Sequence, residues 1–190
     1  MKKFNTFFLV LSLLSISILG NFFSPILRAE EKFEARLLPE MGRASQRAKK
    51  LIISVESYTS AEEVFQLIET FNTEGFEQFR SAFRGMNKGN IRPRGGSGLN
   101  ISLYAAQNIQ TDKGRQIILV AESQSLDPDV QIRLNSRFPF MVIELNINNK
   151  GKGKGKLYLQ ANIRLTSQGT IEKGSYSLPP KQLFGVSILK

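Results

Sequence analysis

The chain has 190 residues and a formal charge of +10, from 26 basic and 16 acidic side chains. It contains no Cys and no His, so disulfides, thiolate nucleophiles and thiolate metal sites are excluded, and the commonest general base and metal ligand are missing. Ser-His-Asp and Cys-His catalysis are excluded with them, while the excess of positive charge favours anionic partners without bearing on the fold.

Met1, Lys2 and Lys3 precede an apolar run from Phe7 to Leu19, broken only by Ser12, Ser15 and Ser17. This is the charged start and apolar centre of a secretory signal. The run is shorter than the roughly 20 apolar residues a bilayer span needs. Phe22 to Leu27 extends it, interrupted by Asn21 and Pro25. Cleavage is expected after Ala29, with Leu27 at the −3 position; a cut after Gly20 fits less well. An uncleaved signal would instead tether the protein, and membrane association is expected only in that case. A lipoprotein anchor is excluded by the absence of Cys. Residues 1–29 hold Lys2, Lys3 and Arg28 and no acid, so their loss takes the charge from +10 to +7. The protein is expected to be exported, periplasmic or extracellular, with its basic character kept in the mature domain.

Residues 30–48 are charged and aperiodic, with Pro39 and Gly42 as breakers, and read as a flexible leader. A single domain is expected over 49–190. Its first strand is Leu51 to Glu56, with Leu51, Ile53 and Val55 on one face. Ser60-Ala61-Glu62-Glu63 is a capping box. Val64, Leu67, Ile68 and Phe71 then form one helical stripe. Asn72-Thr73 is read as the end of that helix and the cap of the next, whose stripe is Phe76, Phe79 and Phe83 before Gly85. These aromatics are expected to pack a core rather than hold a cofactor. Met86 to Gly98 reads as a Gly- and Arg-rich loop.

From Leu99 the period becomes two. Leu99, Ile101, Leu103 and Ala105 share a face, Thr111-Asp112-Lys113-Gly114 is a turn, and Ile117 to Ala121 is a strand buried on both faces. Asp127-Pro128-Asp129 is a break before a strand through Val130, Ile132 and Leu134. Met141, Ile143, Leu145 and Ile147 share one face, as do Leu157, Leu159, Ala161, Ile163 and Leu165. Both sets are odd-numbered, and paired residues of an antiparallel hairpin lie on the same face. The connecting loop must therefore hold an odd number of residues. A three- or five-residue loop inside Lys150 to Lys154 is predicted, with a left-handed Gly. Thr170 to Glu172 and then Phe184, Val186 and Ile188 give two last strands, separated by the extended Pro179-Pro180. The fold class is α+β: about eight short strands in a mostly antiparallel sheet, curled, barrel or sandwich, with an early helical hairpin.

Two basic clusters are candidate anion sites. The first is Lys88, Arg92 and Arg94; the second is the Lys-Gly repeat with Lys150, Lys152, Lys154 and Lys156. Arg can hold phosphate or carboxylate in bidentate fashion, and glycines allow close backbone approach. The plainer reading of both is solvated loop or hairpin tip. The repeat lacks P-loop spacing. Paired carboxylates, Glu122 with Glu144, are the remaining catalytic route. If Glu144 is buried, it needs a partner such as Arg133, Arg137 or Arg164. Asp127 and Asp129 lack the pattern of a calcium loop. No cofactor or metal is expected.

The stretches Arg115 to Ala121, Pro139 to Leu145 and Gly151 to Lys156 resemble a group of uncharacterised exported bacterial proteins. The resemblance runs from about Ile52 to the C-terminus and implies export but no activity or site residue. Where that group reads Gly-Glu-Gly-Lys, this chain has Gly153-Lys154-Gly155-Lys156. The leading expectation is a non-enzymatic module whose basic loops bind an anionic ligand or envelope partner, a lipid headgroup or acidic glycan rather than nucleic acid. The alternatives are a barrel-type carrier of an apolar ligand and a carboxylate-dependent hydrolase.

Overall fold

The period-two alternation of this chain becomes a closed barrel in the computed structural model, which describes residues 30–38, 48–95, 100–124 and 137–189. The expected signal over 1–29, the Asp127–Asp129 break and the strand through Val130, Ile132 and Leu134 lie outside the described residues. The strands are β1 (Glu31–Leu37), β2 (Lys49–Val55), β3 (Gly89–Pro93), β4 (Ile101–Thr111), β5 (Gly114–Glu122), β6 (Phe140–Asn148), β7 (Lys152–Leu165), β8 (Ile171–Tyr176) and β9 (Lys181–Leu189). Eight of them close antiparallel in the order β1-β2-β3-β4-β5-β6-β7-β9, with β9 returning to β1; β8 pairs onto the outer half of β7 as an extra strand. The α+β expectation holds, and of the sheet forms it left open the chain adopts the barrel.

The interior holds one buried cluster, including Phe33, Leu51, Ile53, Ile91, Leu103, Leu119, Ile143 and Leu157. Eight strands enclose an interior that side chains can fill or that can hold one small ligand. A polar group closes off this cluster at one place. Arg115 pairs with Glu31, Tyr58 Oη donates to the same carboxylate at 2.5 Å, and the guanidinium lies 5.8 Å from the centre of the Phe33 ring.

The flexible-leader reading of residues 30–48 fails over its first part. Residues 31–37 are β1, pairing β2 on one side and β9 on the other. Phe33, Ala35 and Leu37 point inward. Their alternation was masked by charged residues on the outer face and at Glu31. The loop reading of Met86 to Gly98 is also corrected, because β3 runs through it and buries Ile91 completely. A five-residue strand with one large apolar side chain carries too little periodicity to read.

Five register shifts interrupt the pairing of the described strands, and two of them bear on β4 and β9. One lies between Leu103 and Ala105 against β5, and it moves Ala105 to the outside while Ala106 turns in. The other lies between Glu34 and Arg36 against β9, where Gly185 has φ +56°. It leaves Leu183 and Val186 inside and puts Phe184 outside at 45% exposure. The expected face of Ala105 fails because one extra residue inverts every side chain beyond it. The single face expected for Leu157 to Leu165 fails in the same way: a shift between Phe140 and Val142 against β7 leaves Leu157 and Leu159 inside and puts Ala161, Ile163 and Leu165 with the outer cluster.

The β6–β7 hairpin follows the parity argument. Ile147 pairs with Gly153 and the loop is Asn149, Lys150 and Gly151, three residues, with Gly151 at φ +72°. The Gly151 amide donates to the Asn148 carbonyl at 2.9 Å. The Asn148 side chain accepts from the amides of Lys150 and Lys152 at 3.0 and 3.1 Å. The loop sits one residue earlier than predicted, because Asn148 supplies the turn chemistry.

Helices α1 (Ala61–Glu74) and α2 (Phe76–Gly85) cover part of the barrel's outside. The capping box forms as expected, Glu63 N–H donating to Ser60 Oγ at 3.2 Å and Ser60 N–H to Glu63 Oε2 at 2.8 Å. Asn72-Thr73 does not end α1. Thr73 Oγ1 donates back to the Glu69 carbonyl, and the break falls at Gly75, whose φ of +88° suits glycine. Val64, Leu67, Phe79 and Phe83 pack on outward residues of β4 to β7, such as Ala105, Val120, Val142 and Tyr158. Ile117, Leu119 and Ala121 face the interior while Ile118 and Val120 face the helices. This explains the unbroken apolar run of β5.

Candidate anion-binding face

The helices leave the outside of β3, β2, β1, β9 and the start of β7 to other side chains. Cross-strand partners share a face, so register alone shows which residues line up there. Arg92 pairs Ile52, Ile52 pairs Glu34, Glu34 pairs Ser187, and Ser187 pairs Lys152. A second row starts at Arg94, whose amide donates to the Lys50 carbonyl at 2.8 Å. It continues from Lys50 to Arg36 to Phe184, with Lys154 across from the Phe184-Gly185 bulge. Lys156 stands beyond, between Gln182 and Glu144. Four strand spacings separate Arg92 from Lys152, about 19 Å along the barrel wall.

The two sequence clusters therefore lie on one face. Arg36, Lys50, Arg92, Arg94, Lys152, Lys154 and Lys156 are all exposed. Among the described residues, ion pairs on this face are Arg94 with Glu34, and Lys32 with Glu30 at 2.8 Å. Arg36, Lys50, Arg92 and the three lysines of β7 have no carboxylate within pairing distance among the described residues. Arg36 and Lys50 were missed by sequence reasoning. Arg36 lay in the supposed leader, and Lys50 preceded the strand as first drawn.

Two candidates stand apart. Lys88 is buried, with its Nζ 2.5 Å from Glu63 Oε1. It secures the start of α1 and is not on the face. Lys150 is exposed in the hairpin loop, at the end of the basic rows. Most of the lysine repeat is strand rather than hairpin tip. Lys152, Lys154 and Lys156 alternate outward in β7, while Gly153 and Gly155 turn to the interior side. At Gly155 an added Cβ would sit 2.7 Å from the Glu144 carbonyl oxygen and 2.8 Å from Leu145 Cδ2. The glycines thus let β7 run close to β6 while the lysines stand in a line.

The carboxylate pair does not assemble. Glu144 is opposite Ile118, four residues along β5 from Glu122, which places the two roughly 13 Å apart. Glycosidase carboxylates stand about 5 to 9.5 Å apart. Each is also engaged elsewhere. Glu122 accepts from Arg80 Nη2 at 2.6 Å, from Arg84 and from Tyr104 Oη at 3.1 Å. Partial burial pushes its pKa up, but the two guanidinium groups and the phenol outweigh that and hold it below the usual carboxylate value. Glu144 accepts from Tyr158 Oη at 3.0 Å. Arg164 pairs with Glu172, and Arg133 lies outside the described residues. Burial and Glu144 push the Tyr158 phenol up to about 12.

Comparisons with protein-family models, curated proteins and solved structures find no match. The chemistry of the face must then be read from its own residues. Among the described residues no three carboxylates converge on a common point that would hold a metal ion, and none of the described helices is long and apolar enough to cross a membrane.

Proposed function

We propose that this chain is an exported, non-enzymatic module that docks on an anionic envelope surface through the basic outer face of its barrel. The observation that carries the reading is the pair of transverse rows, which join Arg36, Lys50 and Arg92 to Lys152, Lys154 and Lys156 across five strands. A face built on paired strands is rigid, so its charges are held apart at fixed spacing and match a repeating array of phosphate or carboxylate groups. Phe184 stands among these cations, exposed and next to Arg36 in the register. An aromatic ring in this position suits the interface between headgroups and acyl chains. The signal-like residues 1–29 would deliver the domain to the compartment where such a surface is met.

The test is co-sedimentation with vesicles of phosphatidylglycerol and of phosphatidylcholine, at low and high salt. Retention on the anionic vesicles alone, released by salt, is expected, since screening weakens contacts between exposed charges. Equal retention on both vesicle types, or none on either, contradicts the proposal.

A further inference from the structure

Large apolar side chains reach solvent on both sides of this molecule. On the helical side Phe65, Phe71 and Phe76 are exposed, the last two lining an apolar cavity of about 550 Å³. Beside the cationic rows, Tyr176, Leu178 and Phe184 are 44%, 41% and 45% exposed, and β7 sets them along one flank. Phe184 pairs Arg36 and lies in the bulge opposite Lys154. Val186 is interior, and the extra residue at Gly185 turns Phe184 outward. Tyr176 pairs Ala161, seven residues along β7 from Lys154, a span of roughly 23 Å. Its ring lies 5.0 Å from that of Tyr158, a member of the outer cluster, and 4.9 Å from Lys173 Nζ. Leu178 comes between them in the chain, in the connection from β8 to β9. Ser177 ties one end of that connection to β7, its N–H donating to the Gln160 carbonyl at 3.1 Å and its Oγ lying 2.6 Å from Gln160 Oε1. Pro179 and Pro180 stiffen the other end, because each ring fixes φ. Leu178 is thus held out on a stiff support, as Phe184 is on a strand.

We infer that the basic face meets an anionic lipid bilayer and that Tyr176, Leu178 and Phe184 enter the boundary between headgroups and acyl chains. The inference rests on the docking role proposed above for that face and narrows its partner from any anionic surface to a bilayer. At such a boundary, cations draw the face to anionic headgroups and apolar side chains then leave water, so the two contributions add. Tyrosine suits this depth, with an apolar ring and a hydroxyl that stays wet. A hydrated acidic glycan would satisfy the lysines of β7 equally well, but it offers Leu178 no apolar phase to enter.

The chain contains no Trp, so a single introduced Trp reports its own position without background. The experiment makes Leu178→Trp, Phe184→Trp and, on α1, Phe65→Trp, each at an exposed position that leaves the core untouched. Each purified variant is mixed at low salt with phosphatidylglycerol vesicles brominated on the acyl chains, and co-sedimentation measures the bound fraction. Emission from positions 178 and 184 should shift to the blue and be quenched by the bromines, while emission from position 65 should do neither. Separately, Leu178→Ser with Phe184→Ser should weaken vesicle binding by at least about tenfold, since two apolar side chains no longer leave water. Bound protein with no shift or quenching at 178 and 184, or with equal quenching at 65, overturns the insertion and leaves the basic face as a docking surface. Unchanged affinity in the double serine variant overturns it in the same way. Absence of binding to the vesicles removes the docking role itself and this inference with it; retention on polygalacturonate in that case would name an acidic glycan as the partner.

Discussion

Gly155 and Glu122 show how single residues set the limits of this structure. At Gly155 the neighbouring strand leaves no room for a Cβ. Gly155→Ala should therefore cost about 1–3 kcal/mol, the usual effect of forcing atoms into a packed site; urea unfolding reads this directly. Glu122 is a carboxylate held below its ordinary pKa by Arg84 and Arg80 against the opposing effect of burial. A depressed carboxylate contributes stability that is present above its unfolded value, near 4.5, and is lost as the pH falls through its folded value. Glu122→Gln should lower the thermal midpoint at about pH 7, and the gap to the parent should close towards about pH 3. A gap that stays constant with pH would mean that the charge of Glu122 is not what stabilises the α2 contact. Neither residue's environment was legible beforehand. Arg80, Arg84 and Tyr104 reach Glu122 from positions 18 to 42 residues away in sequence, and spacing gives no access to such contacts.

Among the elements, the best-read ones are those whose pattern is local. The capping box, the two aromatic and aliphatic stripes, the Thr111 to Gly114 turn and the three-residue Asn149 to Gly151 loop all rest on neighbouring residues. Parity alone sets the loop length. It failed at Ala105 and from Ala161 onward, because a bulge is a property of two strands together and leaves no mark on one. It failed at β1 and β3 because short strands with charged outer faces look like linkers. β1 is the element with most at stake, since it joins β2 to β9 and closes the barrel. Phe33→Ala should destabilise by about 3–5 kcal/mol and shift the denaturation midpoint accordingly. A mobile leader would give a change within about 0.5 kcal/mol.

For the whole molecule, sequence supplied the excess of charge and the structure supplies its arrangement. Closing the barrel at β1 and β9 carries the arginines of β1 and β3 round to the lysines of β7. No reading that left residues 31–37 outside the domain would join them. It also divides the exterior. One side carries the helices and the apolar cavity, the other the cationic rows. The separation of Glu122 from Glu144 removes the case for that carboxylate pair. The measurement closest to the central claim compares two triple variants on phosphatidylglycerol vesicles at low salt: Arg36, Lys50 and Arg92 to Gln, and Lys152, Lys154 and Lys156 to Gln. Each basic residue near an anionic surface contributes about 1 kcal/mol, so each triple should lose roughly two orders of magnitude in affinity. Loss in only one of them, or in neither, would contradict a single docking face.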